Sequence, residues 1–173
     1  MGSGELNGGE FIWSEEDSEC NQGVGFLLNK KAKETLFGYK PVSTCIMLAR
    51  FTGTSHNLSI IQVYAPTADS TEEELIFYKD LDECIQDTGI PSKDILMLTG
   101  DWNAKVGSIN YGWEATIGKY GYGKCNDSGE ALLEFALDND GDMQHTIPTE
   151  RMQKVNMAVT KSAYNQHDRP NTD

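Results

Sequence analysis

Apolar positions along this chain fall into short blocks with two different periods. Gly23 to Leu28 and Leu58 to Tyr64 read as strands, with Thr44 to Phe51 between them as a strand of mixed pattern led in by Pro41-Val-Ser43. The polar cluster Thr52-Gly-Thr-Ser-His-Asn57 separates the last two, so the pair predicts a hairpin. Ile95 to Leu98 is an apolar run bounded by Asp94 and Gly100, the pattern of a strand buried on both faces. The period changes at residues 71 to 88, where Leu75, Tyr78, Leu81 and Ile85 share one helical face. Ser70 with Glu73, or Thr71 with Glu74, has capping-box spacing, Glu72 to Glu74 suit the positive end of the dipole, and Gly89 and Pro91 stop the helix. A second helix is predicted from about Ser128 to Asn139, opened by Asp127 and Glu130 and burying Leu132, Phe135 and Ala136.

The ends of the chain carry weaker patterns. Residues 1–21 are polar and glycine-rich with the acidic run Glu15-Glu-Asp17, and are expected to be a loose segment holding at most a short extended piece at Phe11 to Trp13. Met143 to Ile147 echoes a short strand, and residues 148–173 read as a divergent polar tail. The domain proper is then expected over residues 22–147.

Length and composition narrow the class. A chain of 173 residues can bury one real core. Cys20, Cys45, Cys84 and Cys125 are irregularly spaced with no Cys-x-x-Cys and no Cys/His cluster, which argues for free thiols rather than a zinc site. No secretory signal and no apolar run of bilayer length is visible, so a nuclear or cytoplasmic chain without a membrane partner, not secreted, is expected. The net charge of −13 is awkward for a protein that grips DNA, because phosphate contacts need Lys and Arg, although it also serves solubility. Lys30, Lys31 and Lys33 are the densest basic cluster, and such a cluster is usually a solvated face.

Candidate chemistry gathers at Gly100-Asp-Trp-Asn103. In extended backbone Asp101 and Asn103, at spacing two, would project together from the carboxyl end of the strand, where open α/β sheets tend to place ligands. Gly-Asp-x-Asn is equally good turn chemistry, since Asp and Asn bond their own backbone. Tyr64 ends its strand before Ala65-Pro66 and could pack locally or reach into a cleft. Tyr111, Trp113, Tyr120 and Tyr122 lie in a glycine-rich loop, where aromatic rings could stack on bases or close over the sheet. His56, in the polar hairpin loop, reads as a solvated turn residue.

Gly100-Asp-Trp-Asn103 after an apolar strand, preceded by Gln62-Val-Tyr-Ala-Pro-Thr67, resembles the endonuclease/exonuclease/phosphatase superfamily. Those enzymes are Mg²⁺-dependent phosphodiesterases and phosphatases built as a four-layered α/β sandwich. A wider run resembles the endonuclease domains of LINE-type retrotransposons and the derived craniofacial development protein 2-like proteins. It comprises Gly23-Val-Gly-Phe-Leu-Leu-Asn-Lys30, Gly38-Tyr-Lys-Pro-Val-Ser43, Ile60-Ile-Gln-Val-Tyr-Ala-Pro66, Gly100-Asp-Trp-Asn-Ala-Lys-Val-Gly107 and Asn126-Asp-Ser-Gly-Glu-Ala-Leu-Leu-Glu-Phe135. The resemblance implies an incomplete DNase I-like sandwich with mixed, mostly antiparallel sheets. It makes Asp101 the base or metal-side carboxylate, Asn103 a phosphate or metal contact, and Tyr64 a phosphate contact. Asn126 would lie at the cleft edge, as a substrate contact or a plain turn residue. Mg²⁺ and DNA are the implied cofactor and partner.

The family's metal-binding glutamate, first-strand asparagine, second aspartate and terminal Ser-Asp-His have no counterpart here. His167-Asp168 has the reverse order in a polar tail, and takes no catalytic role. The expectation is a remnant phosphodiesterase domain, weakly active or inactive, with a non-catalytic binding protein as the alternative and a phosphatase for lipids or small molecules more distant.

Overall fold

The computed structural model describes residues 2–6, 8–14, 23–67, 71–87, 90–91, 93–108, 111–113, 116, 123–139, 142–145 and 156–161. Strands β1 (Gly2–Leu6), β2 (Gly9–Trp13) and β3 (Gly25–Leu28) form an antiparallel sheet in that order. A short helix α1 (Lys30–Thr35), capped by the Asn29 side chain on Ala32 N, leads to β4 (Leu36–Ser43), β5 (Ile46–Phe51) and β6 (Leu58–Tyr64). Then come α2 (Thr71–Asp87), β7 (Ile95–Asp101), α3 (Asp127–Asp138), β8 (Asp142–His145) and β9 (Asn156–Lys161). The second sheet runs β4-β5-β6-β7-β9-β8. Its pairs are antiparallel except β6–β7, which are parallel because α2 carries the chain back across one face.

Two apolar clusters explain the stacking. Ile46, Leu48, Ile61, Val63, Leu96 and Leu98 point to one side of the large sheet, where Phe77, Leu81 and Cys84 of α2 and Leu132, Leu133 and Ala136 of α3 cover them. The alternate residues Met47, Ala49 and Phe51 point to the other side and meet Ile12, Val24 and Leu28 of the small sheet. The result is helices on a sheet on a sheet, the expected incomplete α/β sandwich with mostly antiparallel strands. At the end remote from the strands' carboxyl ends, Arg50 Nη2 meets the fully buried Asp94 carboxylate at 2.7 Å and its guanidinium lies 4.8 Å from the Phe37 ring centre. No described helix is long and apolar enough to cross a membrane.

Several expectations are corrected. The segment read as loose at residues 1–21 carries β1 and β2, because main-chain pairing with β3 organises a sequence that has little apolar pattern. Strand β9, which the sequence pattern did not predict, lies within residues 148–173 and pairs with β7 from Leu96↔Lys161 to Asp101↔Asn156. Leu75 is 69 % exposed, while Phe77 and Cys84 join Leu81 on the buried side of α2. Ile95 to Leu98 is not buried throughout: Leu96 and Leu98 are, Ile95 is exposed and Met97 half-buried. The predicted turn at Asn29 to Lys31 is instead the cap and first turn of α1. Asn126, not Asp127, caps α3. The capping pairs at Ser70 and Thr71, Cys20, Tyr120, Tyr122 and His167-Asp168 lie outside what is described.

Candidate functional site

The parallel pairing of β6 with β7 brings their carboxyl ends to one place. Tyr64 and Asp101 are direct partners in that ladder, and Ala65 N donates to the Asp101 carbonyl at 2.8 Å just beyond it. Gly100 makes the approach possible: its φ is +149°, and a Cβ there would collide with the Val63 carbonyl. A cleft of ≈ 340 Å³ opens between this end of the large sheet and β3. It is lined by Gln62, Val63 and Tyr64 of β6, Thr99, Gly100 and Asp101 of β7, and residues 23–25 at the start of β3. The Tyr64 ring packs against the small-sheet cluster, and among the described residues its hydroxyl makes no hydrogen bond. That arrangement leaves the phenol able to meet an incoming oxygen.

Beyond Asp101 the strand pattern stops. Asn103 has φ +48°, its backbone N donates to Asp101 Oδ1 at 3.1 Å, and its Nδ2 donates to the Ala65 carbonyl at 2.7 Å. The turn chemistry of Gly-Asp-x-Asn is therefore realised, and it serves the cleft by fixing the Asp101 carboxylate and tying the two strand exits together. Trp102, between them, is 1 % exposed and meets the Phe77 ring edge-on, which anchors the turn under α2. Asn103 stands beside the cleft rather than in its lining.

Asn126 sits elsewhere. Its Oδ1 accepts from Gly129 N at 3.0 Å and from Lys105 N at 2.8 Å, so one side chain both caps α3 and holds the segment that follows the turn. Trp113 packs against the core and Tyr111 is 90 % exposed. Lys30 and Lys31 are exposed, and Lys33 pairs with Glu5 at 2.9 Å and Glu10 at 3.7 Å, which raises its own pKa and lowers that of Glu5. His56 is exposed in the hairpin loop. Burial pushes the Cys84 thiol up to about 11, so it is a neutral core group near pH 7.

Among the described residues no three His, Cys, Asp or Glu side chains gather closely enough to hold a metal ion. Asp101 and Asn103 offer one carboxylate and one amide, and each is already engaged in the turn. Mg²⁺ requires near-octahedral oxygen ligation and keeps its waters unless several ligands replace them. The donor set on the described residues falls short of that requirement. The structure brings Tyr64 and Asp101 together at the cleft, and Gln62 and Thr99, which the sequence did not single out, line it too; their signal was spacing two from each of those residues on the same strand face.

No family model matches the chain. Over 141 residues it is 36 % identical to craniofacial development protein 2 of Bos taurus, a stretch that is 80 % of this chain and 23 % of that protein. The protein of the same name from Tragulus javanicus is 35 % identical over 141 residues, covering 80 % of this chain and 24 % of its own length. The chain thus spans about a quarter of the length of the curated relatives it matches. Its fold is similar to the endonuclease domain of TRAS1, a telomere-specific non-LTR retrotransposon, with a TM-score of 0.56, 14 % identity, and coverage of 90 % of this chain and 67 % of that one. It is also similar to the 3′ phosphatase NExo from Neisseria, solved bound to a product DNA hairpin, with a TM-score of 0.53, 14 % identity, and coverage of 88 % and 66 %.

Proposed function

We propose that this chain, whose fold is similar to those of the TRAS1 endonuclease domain and NExo and whose sequence is similar to part of craniofacial development protein 2, is a reduced phosphodiesterase domain of the endonuclease/exonuclease/phosphatase superfamily, of the DNA-directed type. The observation that carries the proposal is the pairing of Tyr64 with Asp101 at the mouth of one cleft. The Asp101 carboxylate orients and deprotonates a water that attacks phosphorus in line. The new P–O bond forms as the bond to the leaving oxygen breaks, and the water's proton passes to the carboxylate. The Tyr64 hydroxyl donates to a non-bridging phosphate oxygen, and Asn103 holds Asp101 in register.

Hydrolysis by this chain is weak or absent. The Mg²⁺ that the superfamily implies has too few ligands on the described residues, and losing members of a catalytic set costs orders of magnitude in rate. Support for DNA as the substrate class comes from the relatives: TRAS1's domain is an endonuclease and NExo was solved with DNA. The net charge of −13 weighs against many backbone contacts, so a short stretch of DNA is proposed rather than a long one.

The test is nicking of supercoiled plasmid by the purified chain in Mg²⁺, beside EDTA and Asp101→Ala. Slow or undetectable nicking is expected, with any that occurs lost in both controls. Nicking that survives Asp101→Ala would place the chemistry outside this cleft. Rapid nicking that both controls abolish would show that the site is not reduced.

A further inference from the structure

The lining of the cleft extends along β6 and β7 beyond the Tyr64–Asp101 pair. Behind the Tyr64–Asp101 pair, the next same-face pair in the parallel ladder is Gln62–Thr99. Both residues line the cleft, and among the described residues neither side chain makes a hydrogen bond. A carboxamide and a hydroxyl both donate and accept, so together they match a polar edge of mixed character rather than an ion. The two rows lie about 7 Å apart along the strands, two residues of strand rise. That is the order of the separation between a nucleotide's phosphorus and its base. Further back the face turns apolar, with Ile60 in the small-sheet cluster and Met97 half-buried. The far wall is the backbone of residues 23–25, and a Cβ at Gly25 would come within 2.6 Å of the Ile12 carbonyl, so pairing with β2 keeps side chains off that part of it.

We infer that the cleft takes a single unpaired nucleotide, its phosphate accepting from the Tyr64 hydroxyl beside the water held by Asp101, and its nucleoside on Gln62 and Thr99. The inference rests on the phosphodiesterase proposal and specifies its substrate: an unpaired or terminal nucleotide rather than a position inside a duplex. The volume of ≈ 340 Å³ lies within the range of about 300–1,000 Å³ usual for small-molecule sites. A base stacked in a duplex could reach a slot between two sheets only after leaving the stack, at a cost that an unpaired base is spared. A chain with a net charge of −13 has few cations with which to offset that cost along a duplex backbone.

The experiment is an amide chemical-shift titration of the chain with the dinucleotide d(TpT), followed by competition between a single strand and a blunt duplex of equal length. The d(TpT) signals are expected at residues 62–64 and 99–101, with the single strand competing better. Gln62→Leu/Thr99→Val is expected to raise the Kd for d(TpT) by about tenfold, the loss of roughly one well-formed hydrogen bond. Gln62→Asn and Thr99→Ser keep the functional groups and their spectra check that the sheet stays folded. If the double variant binds d(TpT) like the wild type while Tyr64→Phe weakens it, the inner row has no such role and the phosphodiesterase proposal stands. If d(TpT) shifts neither row, both are overturned. Equal or better competition by the duplex would overturn the unpaired-nucleotide assignment alone.

Discussion

Gly100 is the residue on which the cleft depends. It lets β7 run against β6 at the point where Tyr64 and Asp101 pair, and its φ of +149° with the Val63 carbonyl in the way leaves no room for a side chain. Gly100→Ala is expected to destabilise the fold by more than about 3 kcal/mol, among the large effects of single substitutions. A urea unfolding midpoint within error of the wild type would contradict that. Beside it, the apolar run before Gly100 placed Asp101 at the end of a strand, while its spacing to Asn103 left cleft and turn equally open. The role of Asn103 was only half legible. Spacing two implies a shared face while the backbone stays extended, and the φ of +48° at Asn103 breaks that condition one residue after the strand ends. Its amide therefore braces Ala65 instead of projecting beside the Asp101 carboxylate.

At the scale of elements, the helices were found by their period, but not every face was read correctly. In α2 the stripe through Leu75 satisfies helical spacing as well as the observed one, and only the position of the sheet selects Phe77, Leu81 and Cys84. Of the β1–β2 hairpin the sequence offered only a short extended piece at Phe11 to Trp13, because the strands are joined by main-chain pairing rather than marked by alternation. Asn126 shows how one residue joins two elements, accepting from the first turn of α3 and from Lys105 after β7. Asn126→Ala removes both, and a loss of about 1–2 kcal/mol in stability is expected, the upper part of the range for a helix cap. Thermal unfolding measures it, and an unchanged midpoint would mean that the cap contributes nothing. If Asn126 also touched substrate, the same change would weaken d(TpT) binding beyond what partial unfolding explains; none of that is expected, since Asn126 caps α3 and does not line the cleft.

Across the whole molecule the design is lopsided. On one face of the large sheet the helices cover the buried residues of β5, β6 and β7, while on the other β7 leaves Ile95 exposed and Met97 half-covered, and the cleft lies at the polar end of that strand. The acidic charge was visible at once from composition, and under the proposal it favours a short DNA footprint over a long one. What composition could not reveal is where that footprint lies, because the basic cluster at Lys30 to Lys33 and the cleft at Asp101 compete for it in sequence but belong to different parts of the fold. Amide hydrogen–deuterium exchange of the chain with and without a short single-stranded oligonucleotide decides between them without requiring turnover. Protection is expected at residues 62–66, 99–103 and 23–25; protection confined to the α1 lysines, or none at saturating oligonucleotide, would contradict the assignment of this cleft to a nucleic-acid phosphate.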